Sequence, residues 1–177
     1  MADVRRVVTG HRSDGKAVFV SDGRVAVSSM GPGSAGGIHQ LWGGDQPPTF
    51  PDDGSPPARA TFFPPLGGYR FLVVTMAPAG ASPPAPADPD AIAAHGERTF
   101  PGLASHMEPD NPGMHTTDTI DFEYVVSGEI VLELDDGAEV VLHPGDTVVQ
   151  NGTRHRWHNR TSEPAVYVAF LVGAHRR

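Results

Sequence analysis

The chain has 177 residues, of which 38% are hydrophobic and 19% are charged, so it is long enough for one domain with a substantial core and short for two. Its formal net charge of −8 argues against a nucleic-acid partner, because nucleic-acid binders present a basic surface. It contains no cysteine, which excludes disulfide scaffolds, thiolate metal sites and iron–sulfur clusters.

The sequence shows no run of apolar residues that is long enough to cross a bilayer, so we expect no membrane partner. The N-terminal segment MADVRRVVTG lacks the apolar stretch of a secretory signal. We therefore expect a cytoplasmic protein.

The first third of the chain predicts short strands separated by glycine turns, at Arg5–Thr9, Ala17–Ser21 and Arg24–Ser29. The segment Gly31–Gly36 matches the G-x-G-x-x-G spacing of dinucleotide-binding loops. Such a loop requires a following helix, and the glycines and prolines of residues 37–48 do not form one. We interpret the segment as a mobile glycine loop.

The middle of the chain is rich in proline, with 12 of the 18 prolines between positions 47 and 89. This stretch predicts loops, interrupted by one buried strand at Tyr69–Ala77. Ala79–Pro89 is typical of an extended connection, and Asp90–His95 and Gly102–Met107 are candidates for short helical turns.

The last third predicts six short strands with turns at near-regular spacing. The strands are Thr119–Ser127, Glu129–Leu134, Ala138–Leu142, Thr147–Gln150, Arg154–Asn159 and Ala165–Val172. Asp135-Asp136-Gly137 predicts a hairpin turn between the second and third of them. Short strands at this spacing are typical of an antiparallel sandwich or barrel.

Two segments of this region carry a specific pattern, PGMHTTDTIDFEYVVSG at 112–128 and PGDTVVQNGTRHRWHN at 144–159. They resemble the two motifs of the cupin superfamily, G-x5-H-x-H-x3-4-E-x6-G and G-x5-P-x-G-x2-H-x3-N. In the first motif His115 matches the first histidine, Thr117 stands in the second histidine position and Asp121 in the glutamate position. In the second, His155 and Asn159 match.

The resemblance implies an all-β fold, an antiparallel jelly-roll (cupin) barrel with a loop-rich N-terminal extension of short strands. It implies a single cupin domain over residues 1–177, with the N-terminal extension and outer strands at 1–110 and the conserved barrel core at 111–173. Because many cupins dimerise, it also implies a homodimer.

A cupin metal site typically has three histidines and one glutamate, so the resemblance leaves His115, Asp121 and His155 as ligands here. Two imidazoles and one carboxylate bind a mononuclear divalent metal such as Fe, Zn, Mn or Ni. His106, just upstream of the first motif, is a candidate for the barrel mouth.

Strand alternation adds a second carboxylate to the site. If Asp121 points into the barrel, so do Glu123 and Val125, whereas Phe122 and Tyr124 point outward. Burial raises the pKa of a carboxyl, which suits Glu123 to general acid–base catalysis, and we predict Glu123 and His155 as the catalytic residues. The alternatives are a buried ion pair of Glu123 with Arg70 or Arg156, and a merely hydrogen-bonded His155.

Three functions remain open at this point. The first is a small-molecule enzyme in which the metal on His115, Asp121 and His155 acts as a Lewis acid on a partly apolar, oxygenated substrate. Decarboxylation, dehydration, isomerisation or oxygenation would fit, and the small cupins that the sequence resembles suggest secondary metabolism. The second is a metal-free acid–base enzyme using His115, Asp121 and Glu123. The third is a non-catalytic cupin that binds a small ligand.

Overall fold

The structure is a computed structural model that describes residues 3–29, 34–81 and 89–177. The strands are β1 Arg5–His11, β2 Ala17–Arg24, β3 Gly37–Gly44, β4 Tyr69–Met76, β5 Thr119–Ser127, β6 Ile130–Glu133, β7 Glu139–Leu142, β8 Thr147–Gln150, β9 Arg156–His158 and β10 Ala165–Gly173. Helix α1 spans Pro89–Thr99, and Ala104–His106 and Asp135–Gly137 form single 3-10 turns.

The strands form a five-stranded sheet in the order β3-β4-β10-β5-β8 and a three-stranded sheet in the order β7-β6-β9. All the recorded pairings are antiparallel, and β1 and β2 form a separate hairpin. The predicted all-β jelly-roll barrel with a loop-rich N-terminal part is confirmed.

Alternation along β5 and β10 places the core between the sheets. Thr119, Asp121, Glu123 and Val125 are buried along β5, while Phe122 and its outward neighbours are exposed, as predicted. The inward residues of both sheets build one apolar cluster that includes Leu72, Ile130, Leu132, Tyr167 and Leu171. The polar inward side chains of β5 therefore lie on the same side of the strand as Val125 of the hydrophobic core.

The N-terminal part differs from the prediction in two places. The predicted strand Arg24–Ser29 is wrong, because β2 ends at Arg24. Beyond it Val25 donates one backbone hydrogen bond to Val4, and Ser28 forms an isolated bridge with Ile38. Strand β3 was not predicted, because its glycines have a low strand propensity. Gly43 is needed there, since a Cβ at this position would lie 2.7 Å from the Tyr69 carbonyl oxygen of the adjacent strand.

The remaining predictions for the loop regions have mixed outcomes. The predicted glycine loop falls largely on residues 30–33, outside the described residues, but the chain after Gly36 is a strand, so the rejection of a dinucleotide-binding helix is confirmed. Most of the predicted connection Ala79–Pro89 also lies outside them. The turn predicted at Asp90–His95 is the longer helix α1, and that at Gly102–Met107 contains a 3-10 turn. Within the described ranges, no helix is both long and apolar enough to span a membrane.

Candidate functional site

The structure brings His115 and His155 into contact at one end of the barrel. Their ring centroids lie 4.2 Å apart at an interplanar angle of 49°. The backbone explains the contact, because each residue donates its N–H to the other's carbonyl oxygen at 2.9 Å. This isolated bridge joins the segment before β5 to the segment before β9, so the two cupin-like motifs meet at their histidines.

Hydrogen bonds fix the tautomers of both imidazoles. Nδ1 of His155 lies 2.9 Å from the carbonyl oxygen of Thr153, and Nδ1 of His115 lies 3.0 Å from that of Gly113. Because a carbonyl oxygen only accepts, each Nδ1 carries the proton and each neutral ring keeps a lone pair on Nε2. This arrangement is common for metal-ligating histidines.

Burial keeps the two imidazoles neutral. It lowers the pKa of His155 to about 4, and the neighbouring His115 contributes to that shift. Burial also lowers the pKa of His115. At pH 7 the site therefore presents two uncharged rings, each able to bind a cation or accept a proton through Nε2.

Asp121 and Glu123 supply two buried carboxyl groups on β5, with 5% and 9% of their surfaces exposed. Asp121 Oδ1 and Glu123 Oε2 have no hydrogen-bond partner. Burial raises the pKa of Asp121 to about 6 against the effect of a hydrogen bond with Thr119. Burial also raises the pKa of Glu123 to about 8, and the charge of Asp121 adds to that shift. Glu123 is therefore mostly protonated at pH 7.

The ion pair considered for Glu123 is wrong, because both candidate arginines have other partners. Arg70 pairs with Asp45 at 2.6 Å, and Arg156 pairs with Glu133 at 2.8 Å. The carboxyl group of Glu123 is thus buried without a compensating cation.

Thr117 does not replace the missing histidine as an open ligand. It is 1% exposed, and its hydroxyl lies 2.8 Å from the hydroxyl of Thr119. Thr119 on β5 and Thr117 just before the strand are therefore buried polar residues that precede Asp121 at alternate positions.

The donor chemistry of His115, His155 and Asp121 suits a divalent cation, since it offers two Nε2 lone pairs and an unpartnered carboxyl oxygen. The ligand atoms of His115, His155 and Asp121 do not, however, all lie within 4.8 Å of one another. The aspartate side chain is one methylene shorter than the glutamate of the family pattern, so its carboxyl stays closer to β5. The three-residue ligand set stays a prediction.

Among the described residues, the ligand-type group that meets this distance criterion is Glu133, Glu139 and His158. It lies on the three-stranded sheet and is already paired with cations. Glu133 contacts His158 at 2.5 Å as well as Arg156, and Glu139 pairs with Arg160. The hydrogen bonds from His158 and Arg156 lower the pKa of Glu133. A metal would have to displace these partners, so the group is an ion-pair network.

Aromatic rings flank the histidine pair, and sequence reasoning missed the one contributed by the N-terminal part. Phe63 lies 6.2 Å from His115 between ring centroids and 4.8 Å from His106. On the other side, Trp157 meets the ring of His155 edge-on at 6.1 Å. The only sequence signal for Phe63 is the pair Phe62-Phe63 within a proline-rich loop.

The comparisons with known proteins agree with the motif assignment. Residues 105–171 match the family model described as Cupin domain. Phomopsin biosynthesis cluster protein D of Diaporthe leptostromiformis is 50% identical over 48 residues, which are 27% of this chain and 25% of that protein. Oryzines biosynthesis cluster protein J of Aspergillus oryzae is 39% identical over 62 residues, which are 33% of this chain and 35% of that protein.

The cupin-domain-containing oxidoreductase virC of Hypocrea virens is 40% identical over 48 residues, which are 27% of this chain and 25% of that protein. The chain therefore matches about a quarter to a third of the length of these curated relatives.

Two solved structures superpose on the chain with lower similarity. A putative ethanolamine utilization protein Q from Salmonella typhimurium superposes with a TM-score of 0.44 at 11% identity, covering 99% of this chain and 100% of that one. A Cupin 2 conserved barrel domain protein from Salinispora arenicola gives a TM-score of 0.37 at 19% identity, covering 59% of this chain and 62% of that one. Both motifs lie within residues 105–171, so this part of the chain matches the Cupin domain in sequence model and motifs alike.

Proposed function

We propose that the protein is a small-molecule enzyme of the cupin type, with its site at His115, His155, Asp121 and Glu123. The observation that carries the proposal is the pair of neutral imidazoles with free Nε2 atoms, together with two buried carboxyl groups with unpartnered oxygens on the inward side of β5. Burying such groups is costly for stability, which favours a functional reason for keeping them.

In this proposal His115, His155 and Asp121 would hold a divalent metal ion such as Fe, Zn, Mn or Ni. When bound, the metal supplies Lewis-acid or redox chemistry at an oxygen atom of the substrate. The barrel interior around Glu123 is lined by apolar residues such as Leu72, Val125 and Ala169, which exclude water from the reacting groups.

Glu123 would move the proton in the reaction. With its pKa raised to about 8, the carboxyl group is protonated at pH 7 and can donate as a general acid, and its conjugate base can then take a proton back. The reaction classes that fit are decarboxylation, dehydration, isomerisation and oxygenation. Relatives named as an oxidoreductase and as members of the phomopsin and oryzines biosynthesis clusters support a role in oxidation within secondary metabolism.

The experiment that tests the metal site is plasma mass spectrometry of the purified protein, before and after EDTA and metal reconstitution. We expect about one divalent ion per chain in the wild type and its loss in His155→Ala. His158→Ala is the matched control, because it removes a histidine from the ion-pair network and leaves the barrel end intact. Full metal retention in His155→Ala would overturn the metal site.

The second candidate is a metal-free acid–base enzyme. It is favoured because the ligand atoms of His115, His155 and Asp121 do not all lie within 4.8 Å of one another. In that case His115, Asp121 and Glu123 would perform the proton transfers unaided. Turnover that survives exhaustive chelation and is lost in Glu123→Gln would support this candidate. Ligand binding without turnover, with or without metal, would instead indicate a non-catalytic cupin.

We also propose that the protein is a homodimer and that the outer face of the five-stranded sheet is its interface. The outward positions of β4, β5, β8 and β10 carry no charged residue. The register aligns Val149, Phe122, Phe170 and Phe71 in one row across the four strands, and each is 39–57% exposed.

The size of this outer face supports a second copy as the occupant. Tyr124 is 48% exposed, so the four rings of Phe71, Phe122, Tyr124 and Phe170 together expose about 350 Å². This area lies within the range of about 300–600 Å² found for the largest apolar patch of a typical protein, and such patches are often interaction sites. A groove of about 630 Å³ beside the β1–β2 hairpin, lined by Phe71 and Phe170 among others, extends the same surface.

Light scattering coupled to size exclusion tests the dimer. We expect a dimer for the wild type and a monomer for Phe122→Asp, because a charge at the centre of the face cannot be buried unpaired. Val140→Asp is the matched control, since Val140 is 48% exposed and lies on β7 of the three-stranded sheet. A monomeric wild type, or a dimer that survives Phe122→Asp, would contradict the interface.

A further inference from the structure

Phe63 forms an aromatic wall beside the histidine pair. Its ring lies within 26° of parallel to the ring of His115 and also packs against His106. Phe63, His106 and His115 all keep part of their surface exposed. A molecule that contacts the exposed part of His115 can therefore also contact the ring of Phe63.

Trp157 lies on the other side of the pair. It meets His155 edge-on and stacks on Tyr167 at 5.5 Å between centroids. Tyr167 is 8% exposed and belongs to the core, so the stack packs the indole of Trp157 against the core. The indole itself remains half-buried. The two histidines thus sit between one ring from the barrel and one ring from the N-terminal part of the chain.

The wall is fixed by a buried arginine. Arg70 is 1% exposed and donates to the carbonyl oxygens of Thr61 and Phe62 at 2.7 and 2.9 Å. The guanidinium also forms an ion pair with Asp45 and donates hydrogen bonds to two further main-chain carbonyl oxygens. Because Thr61 and Phe62 directly precede Phe63, the guanidinium anchors the segment that presents the ring.

We propose that the site accepts a planar, conjugated carbonyl compound, aromatic or α,β-unsaturated, and that Phe63 determines this preference. This inference rests on the proposed function, because it names the substrate class of the same site. A flat π-system stacks on a ring wall at van der Waals distance, whereas a puckered saturated ring of similar size does not. Phe63 lies outside the matched domain at 105–171, so the preference belongs to this chain's own N-terminal part.

The test uses two ketones that differ in planarity, 2-acetylnaphthalene and its fully saturated counterpart 2-acetyldecalin. Their dissociation constants are measured by calorimetry on the full chain as purified. The stacking contribution predicts that the wild type binds the planar ketone about three- to tenfold more tightly. We expect Phe63→Leu, which keeps an apolar side chain, to lose this preference with little change in the affinity for the saturated ketone, and Phe63→Tyr to retain it.

Phe50→Leu is the matched control and should behave as the wild type, because Phe50 is an exposed phenylalanine of the same N-terminal part. Equal affinities in the wild type, binding of neither ketone, or an unchanged preference in a folded Phe63→Leu would each overturn the inference. The metal content of the same samples separates the two claims. If the metal is retained in Phe63→Leu and lost in His155→Ala, the metal site of the proposed function is supported independently of the ketone affinities.

Discussion

Replacing Glu123 with glutamine should stabilise the protein while removing its proposed catalytic proton donor. The carboxyl group is 9% exposed, has an unpartnered oxygen and has no arginine partner. Its pKa rises from an ordinary value of 4.5 to about 8 because burial disfavours the charged form. Glutamine has almost the same shape and never ionises.

The sign and size follow from proton linkage. The folded state holds the Glu123 proton more tightly than the unfolded state, so the wild-type stability is complete below pH 4.5 and falls as the pH rises towards 8. Each pH unit in this window corresponds to about 1.4 kcal/mol. At pH 7 the unfolding free energy of the wild type is therefore about 3 kcal/mol lower than that of Glu123→Gln. Near pH 4.5 the two proteins should be equally stable.

The assay is urea unfolding of the EDTA-treated protein at several pH values between 4.5 and 8. Glu163→Gln is the control, because it makes the same chemical change at an exposed carboxylate. Parallel stability curves for the wild type and Glu123→Gln would refute a protonated buried carboxyl at this position. A loss of turnover together with the gain in stability would identify Glu123 as a residue kept for function.

Three further predictions concern other parts of the molecule. Arg70→Met should destabilise the protein by about 3 kcal/mol in urea unfolding, because it strands Asp45 and several buried carbonyl oxygens; a loss below 1 kcal/mol would contradict the anchoring role. Gly128→Ala should lower the thermal midpoint by several degrees, since φ is +75° and a Cβ would lie 2.7 Å from Ala165 Cα; an unchanged midpoint would show that the turn adapts. Saturating Zn²⁺ or Mn²⁺ should raise the thermal midpoint of the wild type and not that of His155→Ala, because a ligand stabilises only the state that binds it; equal shifts in both would place the metal elsewhere.

The C-terminal barrel could be predicted from the sequence because local signals there agree with one another. The alternation along β5 and the turn at Asp135-Asp136-Gly137 both indicate the same antiparallel arrangement, and Asp136 adopts the positive φ of 58° that such a turn requires. The two short motifs identified His115 and His155 as members of one site. The structure places them side by side, because a β-bridge joins His115, four residues before β5, to His155, one residue before β9.

The N-terminal contribution could not be predicted because it depends on contacts between distant residues. Strand β3 is rich in glycine, and its place in the sheet is set by the close approach of β4 at Gly43. Phe63 reaches the site only because Arg70, itself in a strand, holds the loop before it. Nothing in local propensity distinguishes Phe63 from Phe50, which is 90% exposed.

The central claim is that the barrel end with His115 and His155 is the functional site, and the most direct test is a crystal structure of the metal-reconstituted protein. Anomalous diffraction at the absorption edge of the metal locates the ion without reference to any substrate. The account predicts one strong peak within bonding distance of Nε2 of both histidines. A peak at Glu133, Glu139 and His158 with none between His115 and His155 would contradict it.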